Sequence, residues 1–509
     1  VLHKKSIGYL IFCVALGAFF LLFHLNQYIF LRPQSIHIWR QTDCLSITQR
    51  YFQDKTSFCE PEIYNHLADG GHTGKSAGEF PGWYYLMAQF WKLFGKHEWL
   101  YRAMVFVVFS GACLALFKMA IRTTQNIALS IFFSLLLFTS PTIAYYSISF
   151  LTNIPALSFV IIGWLFVYRF YESKKNIHIG IAMSFFTIGM LLKVTVGISF
   201  VALLGWCVLE LFLKTKEKLF NGKFIYFVYF LISAVIVFGW YWYAEHYNSI
   251  HQGKYTFNGI WPIWDVSSEK MDTILNHVNK IWMKEYYHQS LLYLTGLVWV
   301  FLLMQPRKIP AFLYYLLIVM PLGGAIYLLL WFQALESHDY YLIDLFILII
   351  LVWAVFLFRY REQRWMKSRF TSLLFAVYLV FLGFNCRKRI DERYNGWMND
   401  WYKTKLEAVG ELEPYLERWG VTKDDLVIST PDNTINGTLY LMNRKGFNNY
   451  GNDLSQPATF SRLISLGARY LVVNDTTIVH DEPIKHYTAY PVGTYRNVSV
   501  FDLRPFGQK

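Results

Sequence analysis

Apolar runs recur along almost the whole of this chain, at about 7–30, 101–121, 127–149, 154–171, 178–192, 195–213, 223–244, 289–304, 310–332, 341–358 and 370–386. A bilayer-crossing helix needs roughly 20 consecutive apolar residues at 1.5 Å of rise each. Inside hydrocarbon every backbone N–H and C=O must find its partner within the segment, so runs of this kind are confined to helices. The pattern therefore predicts a polytopic α-helical membrane protein of about eleven transmembrane helices. Composition agrees: 55% of the 509 residues are hydrophobic and only 16% charged, an excess a soluble globular chain of this size does not carry. As one helix, 178–213 would overshoot the bilayer, so it is split at Lys193. The first run is too long for a signal-peptide core and has no small-residue cleavage site after it, so it reads as a retained span.

The formal net charge of +13 comes from basic clusters between apolar runs. They are Lys4-Lys5, Arg122, Lys174-Lys175, Lys214 to Lys223, Arg307-Lys308 and Arg359 to Arg369. Their alternation is that of a positive-inside topology rather than the basic face of a nucleic-acid-binding domain, so no nucleic acid is expected as a partner. The N-terminus is then cytoplasmic, and 32–100, 245–288, the turn at 336–339 and everything after about 387 lie on the outer face. Arg387-Lys388-Arg389 and Arg393 fall outside this register, directly after the last span.

The expected domains are a transmembrane domain, 1–386, with outer loops 32–100 and 245–288, and an extracytoplasmic α/β domain, 387–509. In the latter, a helix at 399–419 ends at Gly420, and 426–429 and 470–473 read as buried strands. Residues 438–442 read as strand or short helix, 460–466 as a helix, and 499–503 as an alternating strand. No internal repeat is evident, which argues against a transporter built from duplicated halves.

The outer loop 32–100 is too aromatic to be a disordered linker. Within it, Trp39-Arg40-Gln41-Thr42-Asp43 places Arg40 and Asp43 three residues apart, on one face of a short helix. A carboxylate held at the membrane surface can take a proton from an attacking hydroxyl or amine. An Asp and an Arg at this spacing are equally an ordinary surface pair. His66, His72 and His338 with Asp43 or Glu79 supply ligand types for a divalent metal, although no tight ligand spacing is present. Cys44 and Cys59 are close enough in sequence for a disulfide in an oxidising compartment, and inert thiols are the alternative. No Walker or dinucleotide glycine fingerprint occurs, which disfavours direct use of a nucleotide.

The order of the first span, Trp39 to Asp43, then Gly78-Glu79-Phe80-Pro81-Gly82-Trp83-Tyr84-Tyr85-Leu86, Lys92-Leu93-Phe94-Gly95 and Arg102 resembles the GT-C glycosyltransferases. The similarity is to the protein O-mannosyltransferase and lipid A aminoarabinose transferase group, and is best over 1–210. It implies Asp43 as the catalytic base and a sugar on polyprenyl phosphate as donor. Two departures stand out: Asp43 is followed by Cys44 where the family often has a second acid, and Glu79 occupies the place of a basic residue. Lys193, in Leu191-Leu192-Lys193-Val194-Thr195, resembles the family's Lys-containing turn. His338-Asp339-Tyr340-Tyr341 resembles its aromatic and basic motif. The resemblance gives Arg40, Glu79, Lys193, His338, Asp339, Tyr340 and Tyr341 to donor and phosphate binding. Simple snorkelling of Lys193 and an interfacial aromatic belt at Tyr340 and Tyr341 are the structural alternatives.

These features lead to an expected glycosyltransferase of the bacterial inner membrane, acting on its outer face. It would move a sugar from a polyprenyl-phosphate carrier to a lipid, glycan or protein, with inversion by family analogy. A transporter or flippase of lipid-linked sugars and a non-catalytic membrane scaffold are the rival classes.

Overall fold

A computed structural model describes residues 2–212, 218–255 and 259–507, with side chains from residue 6 onward. Lys4 and Lys5, and Lys214 and Lys216 of the cluster Lys214 to Lys223, lie outside the described side chains.

Seven helices among the described residues are long and apolar enough to cross a membrane. They are Glu98–Thr124, Asn153–Ser173, Val194–Phe212, Phe224–Ile250, Ala311–Leu330, Asp339–Tyr360 and Arg369–Asn399, the third and the last two including short 3-10 stretches. Ser6–Leu22, Asn176–Leu192 and Gln289–Leu303 are shorter apolar helices. The run expected at 127–149 does not form one rod. It breaks into Ile127–Leu135, Leu137–Thr139 and Pro141–Tyr146. Proline at N1 starts a helix but cannot continue one, and the Ser140 hydroxyl caps the new start by accepting from the Ile143 N–H at 3.2 Å.

Compactness groups the chain differently from its order. One unit comprises 1–29, 102–240 and 259–391, and the other 30–101, 241–258 and 392–509. Residues 30–101 thus group with the C-terminal residues in one unit.

In the first unit, Asn176–Leu192 ends at Lys193, whose φ of −159° is extended. A 3-10 turn, Val194–Gly197, then leads into Ile198–Phe212. The Arg387 to Arg389 cluster sits on the continuation of the helix Arg369–Asn395. There Arg387 pairs with Asp391 at 3.5 Å and Arg389 with Glu285 at 3.9 Å. Two of the four out-of-register charges, Arg387 and Arg389, are thus met by carboxylates of this unit.

The second unit is built on a five-stranded sheet: β1 (Leu426–Thr430), β2 (Gly446–Asn448), β3 (Ala468–Val473), β4 (Pro491–Tyr495) and β5 (Val498–Asp502), in the order β2-β1-β3-β5-β4. β1 pairs in parallel with β2 and β3, and β5 antiparallel with β3 and β4. Val427, Ile428, Leu471 and Val472 are fully buried, as continuous apolar strands covered on both faces must be. The segments 438–442 and 460–466 form the helices Gly437–Leu441 and Pro457–Ser465. β2 and β4 were not legible in sequence: β2 is three residues long, and β4 begins with proline and contains glycine. The helix expected at 399–419 is interrupted before Pro414 and resumes as Glu413–Arg418.

The 32–100 loop extends this sheet. The Tyr64 carbonyl accepts from the Gly446 N–H at 3.1 Å, and Asn65 bridges Gly446 in parallel. Gly446 has φ +150°, and a Cβ there would lie 2.0 Å from the Val427 carbonyl oxygen. Only glycine lets the edge strand approach this closely. On the loop's other side, Asn248 clasps Ala77 through a reciprocal pair of hydrogen bonds, each 2.8 Å.

Candidate active site

Asp43 lies in the first half of the helix Ile38–Gln53, whose polar residues Gln41, Thr42, Ser46, Thr48 and Gln49 are nearly all buried. Thr42, Ser46 and Thr48 turn their hydroxyls back on the carbonyls of Ile38, Asp43 and Cys44 at 3.0, 2.8 and 2.9 Å. Asp43 itself is only 6% exposed. Its Oδ1 accepts from Asn436 Nδ2 at 2.8 Å. Asn436 Oδ1 in turn accepts from the backbone N–H groups of Tyr64 and Asn65, both at 3.1 Å. One amide therefore holds the carboxylate on one side and the Tyr64–Asn65 segment of the 32–100 loop on the other.

The loop that presents Asn436 follows β1 and is wound around Asp432. That carboxylate accepts from the N–H and hydroxyl of Thr434, at 2.8 and 2.7 Å, and from those of Thr438, at 2.9 and 2.6 Å. Asn448 Nδ2 binds the Thr434 carbonyl at 2.8 Å, and Asn65 Nδ2 binds Asn448 Oδ1 at 3.0 Å. Each of these buried groups has a partner, so the loop is fixed in one arrangement.

Burial pushes the Asp43 carboxyl up to about 6, further raised by the negative charges of Glu79 and Asp432 and opposed by Arg40 and the Asn436 hydrogen bond. An acid titrating there is ionised at neutral pH and still close enough in affinity to take a proton, which is the range a general base needs. Arg40 Nη2 lies 2.5 and 2.6 Å from the two oxygens of Glu79. Glu79 Oε2 also accepts from Tyr84 at 3.3 Å. The Arg40 and Asp43 of the sequence pattern are thus joined by a second acid, Glu79, which arrives from the far end of the loop.

Cys44 is buried with its thiol 3.6 Å from the Tyr84 hydroxyl, and burial pushes that thiol up to about 11. Cys59 is exposed, and both cysteines are free thiols. His66 is buried edge-on to Phe447, and burial followed by the nearby Arg50 holds its imidazole down to about 4. Among the described residues no three His, Cys, Asp or Glu side chains gather to hold a metal ion.

In the first unit, the Lys193 ammonium stands 5.1 Å from the centre of the Tyr341 ring. The neighbouring Thr195 hydroxyl donates to Asp344. His338 packs edge-on against Tyr340 and Tyr341, with ring centres 5.4 and 5.3 Å away. Its Nδ1 lies 3.2 Å from the Ala334 carbonyl and 2.8 Å from the Ser337 hydroxyl. Asp339, fully buried, accepts from the Tyr146 hydroxyl at 2.7 Å. Tyr327 donates to the Tyr341 carbonyl at 2.9 Å. Lys193, His338, Asp339, Tyr340 and Tyr341, distant in sequence, therefore share one aromatic, basic cluster.

Sequence reasoning missed Asn436, Asp432 and Tyr84. A signal existed for the first two. Pro431-Asp432-Asn433-Thr434-Ile435-Asn436-Gly437 is dense in turn-forming residues and follows the carboxyl end of a buried strand, where open α/β sheets place their binding loops.

The family model for dolichyl-phosphate-mannose-protein mannosyltransferase matches residues 78–242, which include Glu79, Tyr84 and Lys193. No curated protein sequence matches the chain. Its backbone is similar to that of ArnT from Cupriavidus metallidurans in the apo state, at TM-score 0.58 and 12% identity, covering 99% of both chains. The chain has the GT-C fold. A second ArnT structure, bound to undecaprenyl phosphate, gives TM-score 0.56 at 12% identity over 97% of each chain. The GT-C oligosaccharyltransferase of Archaeoglobus fulgidus, in complex with Zn and sulfate, gives TM-score 0.56 at 11% identity over 92% of this chain and 68% of its own. The resemblance to GT-C proteins seen in the sequence motifs thus extends to the whole backbone.

Proposed function

We propose that this GT-C protein is a glycosyltransferase that moves a sugar from a polyprenyl-phosphate donor to a lipid, glycan or protein acceptor on the outer face of a bacterial inner membrane. The observation that carries this reading is Asp43: buried, titrating near pH 6 and fixed by Asn436 in the outer loop of a GT-C fold. In the reaction, an acceptor hydroxyl or amine attacks the anomeric carbon and gives its proton to Asp43. The bond from that carbon to the phosphate oxygen breaks, and polyprenyl phosphate leaves with the electron pair. Attack opposite the leaving group inverts the anomeric centre. Lys193, His338, Tyr340 and Tyr341 receive the phosphate, with Asp339 as their buried support. Arg40 is held by Glu79 next to the base. A cation held among aromatic rings suits a lipid-linked anion, because the ammonium meets the phosphate. The relative bound to undecaprenyl phosphate supports the choice of carrier.

The test is purified protein in lipid nanodiscs with a panel of radiolabelled polyprenyl-phosphate sugars and candidate acceptors. Transfer that disappears in Asp43→Asn, with a melting temperature no lower than the wild type's, is the expected result. Equal turnover by Asp43→Asn removes the base assignment. Movement of the labelled lipid between leaflets without transfer to any acceptor favours the flippase.

A further inference from the structure

A second site lies in the first unit, at the helix ends that carry the basic clusters. A cavity of about 160 Å³ opens between Glu98–Thr124, Asn153–Ser173, Ala311–Leu330 and Ile347–Tyr360. Its wall is almost wholly apolar. It runs from Pro310 to Met320 on one helix and from Phe358 back to Ile347 on another. Ten or eleven helical residues rise roughly 15 Å, half of a hydrocarbon core about 30 Å thick. The cavity therefore has the depth of one leaflet.

Its mouth is cationic. The Arg361 guanidinium lies 4.0 Å over the ring of Phe358, a wall residue, and the Lys174 ammonium lies 5.3 Å over the ring of Tyr171, another. Lys308 is two residues from Pro310, and neither it nor Arg307 has an ion-pair partner among the described residues. Arg359 follows Phe358 directly, and its buried Nε meets no acceptor. The acids here are few: Glu172 is taken by Arg122 at 3.0 Å, and Glu362 is shared between Arg361 and Lys367 at 3.8 and 3.0 Å. Thr123 and Tyr168, 3.5 Å apart, add hydroxyls at the same end. The Arg122–Glu172 pair joins the ends of Glu98–Thr124 and Asn153–Ser173, and a 2.8 Å bond from Gln305 to the Tyr360 hydroxyl joins the turn before Ala311–Leu330 to the end of Ile347–Tyr360.

We propose that this cavity binds one anionic phospholipid of the cytoplasmic leaflet. An acyl chain lies along Leu316, Leu351 and Ala354, and the phosphate is held by Arg361 and Lys174. Apolar depth alone would accept any lipid tail. The surplus of cations at the mouth selects a net negative headgroup. The cavity's lining includes neither Asp43 nor Lys193, and its occupancy does not depend on the transfer reaction.

The experiment is native mass spectrometry of the full chain released from nanodiscs of phosphatidylglycerol and phosphatidylcholine in equal amounts. One phosphatidylglycerol should persist per protein, favoured about tenfold or more over phosphatidylcholine. The double variant Arg361→Gln and Lys174→Gln should lose that preference while still holding a lipid. Ala354→Trp, which fills the cavity, should lose the lipid itself, with the milder Ala354→Leu serving if the tryptophan variant does not fold. Equal retention of both lipids by the wild type, or a preference that survives the double variant, overturns the proposal, as does lipid held as well by the folded filled-cavity variant. None of these readouts involves sugar transfer, so their failure leaves the Asp43 reading untouched.

Discussion

Asn436 donates to Asp43 across 393 residues of sequence, at 2.8 Å. The same side chain accepts from the backbone of Tyr64 and Asn65, so the carboxylate, the loop and the C-terminal sheet are mutually fixed. The ionisation of Asp43 is thereby tied to a residue of the C-terminal sheet's own loop.

Asp43→Asn should reduce transfer by about 10²- to 10⁴-fold, the usual contribution of a general base. Because burial raises the Asp43 carboxyl from 3.8 to about 6, its ionisation works against folding. The stability it permits is fully present below about pH 3.8 and is lost as pH rises through about 6, on the order of 3 kcal/mol in all. The Asn variant escapes that loss and can still accept from Asn436. It should melt at least as high as the wild type at pH 7.5 and together with it at pH 4, as followed by thermal denaturation in detergent.

The acid limb of kcat/KM should fall near pH 6, since Asp43 must be ionised to accept a proton. Asn436→Asp keeps the acceptor for the Tyr64 and Asn65 amides but sets a second carboxylate against the first, so the limb should move up. Asn436→Ala should also move it up, and should cost about 1–3 kcal/mol of stability through two unsatisfied buried amides. A limb unmoved in both variants would separate Asn436 from the ionisation of the base.

Arg40 and Glu79 act on Asp43 with opposite sign, the first favouring its charge and the second opposing it. Arg40→Met should shift the acid limb to higher pH and Glu79→Gln to lower pH. The pair of shifts, measured at constant ionic strength, distinguishes an electrostatic role from a merely structural one.

Lys193→Met should raise KM for the polyprenyl-phosphate donor about tenfold or more, while Lys193→Arg retains most of the affinity through its charge. Tyr341→Leu removes the ring over which the ammonium stands and should weaken donor binding less than loss of the ammonium itself, the cation–π contact contributing about 0.5–2 kcal/mol. Donor titrations at saturating acceptor read both effects.

Gly446→Ala should destabilise the C-terminal sheet by about 2 kcal/mol or more, since the added Cβ meets the Val427 carbonyl and φ there is +150°. Loss of the Gly446 contact to Tyr64 should also loosen the outer loop. Proteolysis between 60 and 76 and hydrogen exchange at Gly446 are the measurements.

The sequence by itself determined what is local. Runs of apolar residues dictate helices, because in hydrocarbon no other element satisfies its own backbone. The break at Lys193 followed from length alone, and the strands at 426 and 470 from short apolar runs bounded by turn residues. Even the broken segment at 127–149 carried its cause in Ser140-Pro141. Tertiary structure alone decided which distant groups meet. Arg40 and Asp43 share a helix, yet Arg40 grips Glu79 while Asp43 is held by Asn436. His338 to Tyr341 stand beside Lys193 only because two helix ends pack together. Periodicity states which face of an element is apolar, but the partner a buried polar group finds is set by packing between remote segments. The pKa of Asp43 is set the same way, since burial is its largest cause and burial is a property of the assembled fold.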